Sequence, residues 1–245
     1  MVELNDLKLA VLIDADNIPH SNIKGVMEEI ARHGTATLKR LYGDLTRPNL
    51  AGWKAVLLEH AITPIQQYGY TTGKNSTDSA MIIDAMDILY SEKVGGFCII
   101  SSDSDFTRLA IRLREAGMKV IGIGEKKTPK PFIVACDKFI YIEIINTPVT
   151  KKENSDDLQI PTKQKSELLN LIASSIDDLA DENGWAFLGN VGNLIPKKQP
   201  DFDPRNYGYL KLTPLIKNLG IFEIDERKAG KNNIKHIYIR NKISD

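Results

Sequence analysis

Between residues 8 and 144, short apolar runs alternate with segments of helical period, and that alternation leaves few folds open. The strand-like runs are Lys8–Ile13, Ala36–Tyr42, Ile62–Tyr68, Phe97–Ile100, Val120–Ile123 and Phe139–Ile144. Between them lie Asn22–Arg32, Leu50–His60, Ser79–Tyr90 and Phe106–Ala116, the last stopped by Gly117. In the first of these, Ile23, Val26, Met27 and Ile30 recur at the spacing of one helix face. Six strands alternating with helices predict an α/β class: a parallel, doubly wound sheet with helices on both faces. A chain of 245 residues, 42% hydrophobic and 26% charged, can bury a sizeable core without disulfides. Cys98 and Cys136, both in apolar runs, read as small buried residues.

The pattern changes class after Ile145. Residues 146–164 are rich in Pro, Thr, Lys, Asn and Asp and read as a linker. From there three helical runs follow one another: Glu167–Asn183, Leu188–Lys197 and Pro204–Leu219. Two strand-like runs, Ile221–Asp225 and Lys235–Arg240, close the chain around a basic tip, Glu226–Asn233. Three helices and a terminal hairpin predict a second, small winged-helix α+β domain. Residues 163–242 carry 13 Lys+Arg against 10 Asp+Glu, whereas residues 1–150 carry 17 against 18. The excess points weakly to a polyanionic partner of the second half. The N-terminus shows neither a basic n-region nor an apolar h-region, and no apolar run approaches a membrane span. The expectation is a protein of the reduced cytoplasm with no membrane partner.

Acidic and amide residues cluster where apolar runs end. Asp14-Ala15-Asp16-Asn17 follows the first strand and Ser101-Ser102-Asp103-Ser104-Asp105 follows the fourth. Ligands of open parallel sheets bind outside the carboxyl ends of the strands. Asp14 and Asp103 are therefore expected in the crevice. Asp78, near the start of the Ser79–Tyr90 helix, follows Gly73-Lys74-Asn75, where Lys74 is placed to hold a phosphate. Converging carboxylates bind protons at neutral pH unless a cation intervenes, and all-oxygen donors suit Mg²⁺ or Mn²⁺.

Capping competes with each assignment. Asp16 or Asn17, Thr77, and Ser104 or Asp105 are all N-cap types at helix starts. Asp84 sits in an apolar stretch and needs a partner if buried; Asp87 reads as solvated. Other chemistries lack their signatures. There is no Gly-x-x-x-x-Gly-Lys-Ser/Thr loop and no Gly-x-Gly-x-x-Gly after the first strand, and the four histidines are scattered. Asp14-Ala15-Asp16 matches part of a haloacid dehalogenase nucleophile motif, but Ile18 stands where that motif has Thr or Val.

At Ile13-Asp14-Ala15-Asp16-Asn17, Lys74-Asn75-Ser76-Thr77-Asp78 and Ser102-Asp103-Ser104-Asp105-Phe106 the chain resembles NYN domains of the LabA-like type, within the PIN-like nuclease superfamily. The resemblance covers about residues 7–145 and implies a Rossmann-like sheet with an acidic metal site that hydrolyses RNA. It implies catalytic roles for Asp14, Asn17, Asp78, Asp103 and Asp105, with Asp14, Asp78, Asp103 and Asp105 as metal ligands and Asp84 as a weaker match. The second half resembles a LOTUS, or OST-HTH, domain at Gly184-Trp185-Ala186-Phe187-Leu188-Gly189, Pro200–Gly208 and Leu212-Thr213-Pro214-Leu215-Ile216. That family implies a winged-helix RNA-binding module.

The expected organisation is thus residues 1–145 as the NYN/PIN-like nuclease domain, 146–164 as linker and 165–242 as the LOTUS/OST-HTH domain. Candidate phosphate contacts are Lys74, Lys197, Lys198, Arg205, Lys211, Arg227, Lys228 and Lys231. Trp185, Phe187, Phe202 and Tyr207 are base-stacking candidates, with core packing the competing role. The leading reading is a Mg²⁺- or Mn²⁺-dependent ribonuclease with a C-terminal RNA-binding module. The alternative is a non-catalytic RNA-binding regulator that keeps the fold. RNA is the expected partner, and a homodimer is compatible with the sequence.

Overall fold

A strand covered on both faces must be apolar where it is covered, and β1 (Lys8–Asp14) meets that condition at each of its five inner positions, Leu9 to Ile13. Leu9, Val11 and Ile13 enter one core cluster, and Ala10 and Leu12 enter another on the opposite face. A computed structural model of the chain describes residues 6–68, 76–146, 161–229 and 234–242. Residues 147–160 of the expected linker, the Gly73-Lys74-Asn75 segment, Lys231 and the Lys228 side chain lie outside the described residues. The chain divides into two compact units, Met1–Thr147 and Pro148–Asp245.

The first unit is a six-stranded parallel sheet of order β3-β2-β1-β4-β5-β6. Its other strands are β2 (Thr35–Gly43), β3 (Thr63–Gln66), β4 (Gly96–Ile100), β5 (Lys119–Gly124) and β6 (Lys138–Tyr141). Helices α1 (Ile23–Ile30) and α2 (Trp53–Glu59) cover one face through Ile23, Val26, Ile30, Trp53 and Leu57. The other face takes α3 (Ser76–Tyr90), α4 (Thr107–Glu115) and α5 (Lys130–Ala135) through Met81, Ala85, Leu109, Leu113 and Phe132. The strand order reverses between β1 and β4, so the loops leaving these two strands diverge to opposite faces and open a crevice. Cys98 and Cys136 are buried free thiols, as expected.

Three expectations need correction. The run Phe139–Ile144 is not one strand: β6 ends at Tyr141 and α6 (Ile142–Asn146) follows. A short apolar run does not distinguish strand from buried helix by period alone. Helix α5 went unread because Pro129 and Pro131 look like breakers; Pro is favoured at the first helical positions, where its missing N–H costs nothing. The segment Pro204–Leu219 is not one helix. A 3-10 turn, Pro204–Tyr207, ends at Gly208, whose φ of 82° is left-handed, and α9 (Leu212–Leu219) starts afresh.

The second unit also contains α7 (Thr162–Asp177), β7 (Ala186–Phe187), α8 (Leu188–Lys198), β8 (Phe222–Ala229) and β9 (Ile234–Asn241). The strands form an antiparallel sheet of order β7-β9-β8. Leu168, Ile172 and Ile176, one turn apart along α7, meet Val191 and Ile195 of α8, Leu215 and Ile216 of α9 and Ile239 of β9. The two-residue β7 was too short to give any alternation in the sequence.

One close approach ties the sheet to the crevice. A Cβ on Gly124, at the end of β5, would stand 2.6 Å from the Ser101 carbonyl oxygen and 2.8 Å from Thr128 Oγ1. Gly124→Ala is expected to lower the urea-unfolding free energy by about 1–3 kcal/mol, because backbone rather than a flexible side chain must yield.

Candidate active site

β1 and β4 pair in register up to Ile13 opposite Ile100, so Asp14 and Ser101 emerge side by side. Asp14 is 1% exposed. Its Oδ2 accepts from Ser101 Oγ at 2.8 Å and from Asn17 Nδ2 at 2.6 Å, and its Oδ1 accepts from the Asp16 amide at 3.1 Å. Burial pushes the Asp14 carboxyl above the usual carboxylate range, and the bonds from Ser101, Asn17 and Asp16 pull it back only in part. Asn17 therefore spends its amide on Asp14. Neither it nor Asp16 caps a helix: the following 3-10 turn has Pro19 at its N-cap and α1 has Asn22.

The Ser101 hydroxyl that donates to Asp14 also accepts from the Asp103 amide at 3.0 Å. Asp103 in turn accepts from the Asp105 amide at 2.9 Å and caps the 3-10 turn Ser104–Phe106. Capping and a charged role thus coincide on Asp103, whereas the cap was expected at Ser104 or Asp105. Ser102 Oγ accepts from the Glu125 amide at 2.9 Å, which fastens the same turn to the end of β5. Ser101, Ser102, Asp103 and Asp105 are held by one another and by Asp14 and Glu125, at the ends of the two neighbouring strands.

Asp78 comes from the first turn of α3, which starts at Ser76, so Thr77 lies inside the helix and does not cap it. Asp78, Asp103 and Asp105 each offer a carboxylate oxygen, all within 4.8 Å of one another. The Asp78 carboxyl is pushed up to about 6, first by burial, then by the charges of Asp14, Asp103, Asp105 and Asp16. A divalent cation relieves that repulsion. The donor set is all carboxylate, which fits Mg²⁺ or Mn²⁺ rather than the His and Cys set of zinc. Asp14 lies beneath this trio as its hydrogen-bonded support.

Asp84 stands apart. It accepts from Arg40 and from the Tyr42 hydroxyl, both on β2, and so ties α3 to the sheet. Asp87 is exposed, as expected. A cation that sequence reasoning missed lies on the rim: Arg47, in the loop after β2, is 3.5 Å from Asp44 and 3.9 Å from Asp16. Only the β1–β2 register, Asp14 opposite Tyr42, brings it there.

In the second unit Lys197 and Lys211 are exposed, at the end of α8 and the start of α9. Lys198 binds Asp178 at 2.7 Å and Ser174 at 3.1 Å. Arg205 is folded back: its Nε and Nη2 donate to Asp203 at 2.9 and 2.8 Å, which turns its guanidinium inward rather than toward a ligand. Phe202 is core, and Trp185, Phe187 and Tyr207 are half-buried.

Likeness to known proteins identifies the family. The model of the NYN domain matches residues 8–143. The chain belongs to the NYN family. The model of the OST-HTH/LOTUS domain matches residues 159–234, so the NYN domain is followed by an OST-HTH/LOTUS domain. NYN domains are typically nucleases, and OST-HTH domains bind RNA. No curated protein matches the chain. Among solved structures, a Vibrio parahaemolyticus protein of unknown function is 18% identical over 58% of this chain and 96% of its own, with a TM-score of 0.49. An uncharacterised Nitrosomonas europaea protein is 33% identical, covering 41% of this chain and 89% of its own, with a TM-score of 0.30. A Chromobacterium violaceum protein is 34% identical, covering 35% and 91%, with a TM-score of 0.28. No helix among the described residues is long and apolar enough to cross a membrane.

Two stability measurements test this arrangement. Asp14→Asn retains a single acceptor oxygen, so its NH2 must face either the Ser101 and Asn17 donors or the Asp16 amide; it is expected to cost about 1–3 kcal/mol in urea unfolding. Asp103→Asn keeps an oxygen for the Asp105 amide and should cost less than about 0.5 kcal/mol. The second test uses the raised Asp78 carboxyl. The native state binds more protons than the unfolded chain between the ordinary carboxyl value of 3.8 and about 6. Stability therefore falls as pH rises through that window and the full penalty stands above it. Without divalent ions, Asp78→Asn should melt roughly 2–4 °C above wild type at pH 7.5, a solvent-screened effect on the order of 1 kcal/mol, and the gap should close toward pH 4.

Proposed function

We propose that the NYN domain is a metal-dependent ribonuclease that hydrolyses RNA phosphodiester bonds, and that the OST-HTH/LOTUS domain supplies the RNA. The observation that carries this reading is the convergence of Asp78, Asp103 and Asp105 in the crevice between the diverging loops of β1 and β4. These three side chains would hold Mg²⁺ or Mn²⁺. When bound, the cation lowers the pKa of a water and stabilises charge on the phosphate and departing oxygens.

The chain's own residues prepare that centre. Asp14 fixes the Ser101 hydroxyl, which fixes the Asp103 amide, so Asp103 enters the cluster from a turn already set in place. Asn17 holds Asp14 from the other side. Asp84, bound to Arg40 and Tyr42, steadies α3 and with it Asp78. Arg47 puts a guanidinium beside Asp16 at the rim, where a phosphate approaching an acidic centre needs a counter-charge. Lys74 takes the same part in the proposal. On the OST-HTH domain, Lys197 and Lys211 are proposed to carry phosphate contacts, with Lys198 sharing its charge with Asp178, Arg227 already paired with Asp225, and Lys228 and Lys231 extending the set.

The test is cleavage of an end-labelled RNA with Mn²⁺ in excess, alongside calorimetric Mn²⁺ titration. Asp78→Asn and Asp103→Asn are each expected to lower the cleavage rate by about 100-fold or more and to weaken Mn²⁺ binding. Full cleavage by Asp103→Asn would reject this centre. No Mn²⁺ binding by the wild-type chain, with RNA affinity intact, would leave an RNA-binding regulator in its place.

A further inference from the structure

The sheet of the OST-HTH domain has two unlike faces. Phe222, Ile224, Ile237 and Ile239 face the helices and join their core. The alternate positions face away, as the pairings Glu223 with Arg240, Asp225 with Tyr238, Arg227 with His236, and Phe187 with Tyr238 require. On that outer face rings and guanidinium groups stack in one continuous ladder. The Arg240 guanidinium lies 4.8 Å from the Trp185 ring centre, and Arg227 lies 5.3 Å from Trp185 and 4.1 Å from Tyr238. Tyr238 leads to Phe187 at 5.7 Å, and Phe187 stacks on His236 at 5.2 Å with the planes 30° apart.

None of the six residues is fully buried. Rings that serve only the core go under, as Phe202 does; these stay partly wet. Each guanidinium is also oriented. Glu223 holds Arg240, and Asp225 accepts from Arg227 Nε at 2.8 Å, so both guanidinium groups are anchored where they lie over the rings. Arg240 Nε is itself buried and has no acceptor. Flat aromatic and guanidinium surfaces at these spacings are what unpaired bases stack on, and each such contact is worth about 1–3 kcal/mol. A duplex keeps its bases stacked inside and offers the face only phosphates, and the guanidinium groups that could meet them are already paired with Glu223 and Asp225.

We propose that this ladder is a base-stacking platform for single-stranded RNA. It rests on the RNA-binding part of the function proposed above and is independent of catalysis. The acids on the face make stacking, rather than phosphate pairing, its source of affinity. The platform's contribution is therefore insensitive to salt, unlike that of Lys211 at the start of α9.

The full chain provides the test, in EDTA so that no RNA is cut. The probe is a fluorescein-labelled ten-nucleotide oligouridylate, followed by anisotropy and by tryptophan emission. The chain has two tryptophans, and Trp53 is buried in the first unit, so Trp53→Phe leaves Trp185 as the sole reporter. Saturating RNA is expected to quench Trp185. Trp185→Ala and Tyr238→Ala should each weaken binding about 10-fold, while Trp185→Phe should stay within about 3-fold of wild type. The slope of log affinity against log salt should be unchanged in Trp185→Ala and reduced by about 1 in Lys211→Ala. Circular dichroism confirms that each variant is folded. Rising anisotropy with unmoved Trp185 emission and undiminished affinity in Trp185→Ala would overturn the platform and leave RNA binding standing. A ten-base-pair duplex that competes as well as the single strand would overturn it too. No anisotropy change at all would remove both the platform and the RNA-binding reading.

Discussion

A carboxylate with 1% exposure at the switch point of a parallel sheet is the constraint around which the NYN domain is organised. Burying a charge is costly unless protein groups replace the lost water. Asp14 obtains three such groups, from Ser101, Asn17 and the Asp16 amide, and still titrates above its ordinary range. The need to satisfy it dictates the conformations of both loops that leave the crevice. On the β1 side it fixes the Asp14–Asn17 turn. On the β4 side it reaches Asp103 through a single hydroxyl. The outer carboxylates can crowd one another because their backbones are already held from below.

Much of this was legible in the residues. Continuous apolar runs declared the strands of a doubly covered sheet, and a carboxylate just past such a run had to lie at its carboxyl edge. Asp14 and Asp103 were placed on that ground alone. Their division of labour was not legible, because it depends on Ser101, a contact between positions 87 residues apart that only the β1–β4 register creates. Arg47 and Asp84 were hidden for the same reason: their partners, Asp16 and Arg40 with Tyr42, come from other strands and loops. Arg205 looked like a surface cation because sequence does not show a side chain folding back onto its own cap.

The second domain repeats the lesson with aromatic residues. Trp185, Phe187 and Arg227 were visible singly, each with a bland alternative, while Tyr238 and Arg240 did not stand out in the sequence. Antiparallel pairing of β7, β9 and β8 sorts them onto one face. The two domains also divide an electrostatic problem. A cluster of carboxylates repels RNA, so in the proposed function affinity has to come from elsewhere: from cations at the rim, a metal in the centre and a separate binding module on the same chain.

The strand order has a consequence for how the protein is made. β1 emerges first from the ribosome but lies in the middle of the sheet, with β2 on one side and β4 on the other. Until residues beyond Ile100 have been synthesised, one long edge of β1 has no partner, and Asp14 has no Ser101. Closing that edge requires a contact distant in sequence, which is slow and costs loop entropy. The same pairing that completes the sheet also joins Asp14 to the turn that carries Asp103, so a nascent or partly folded chain lacks the assembled acidic centre.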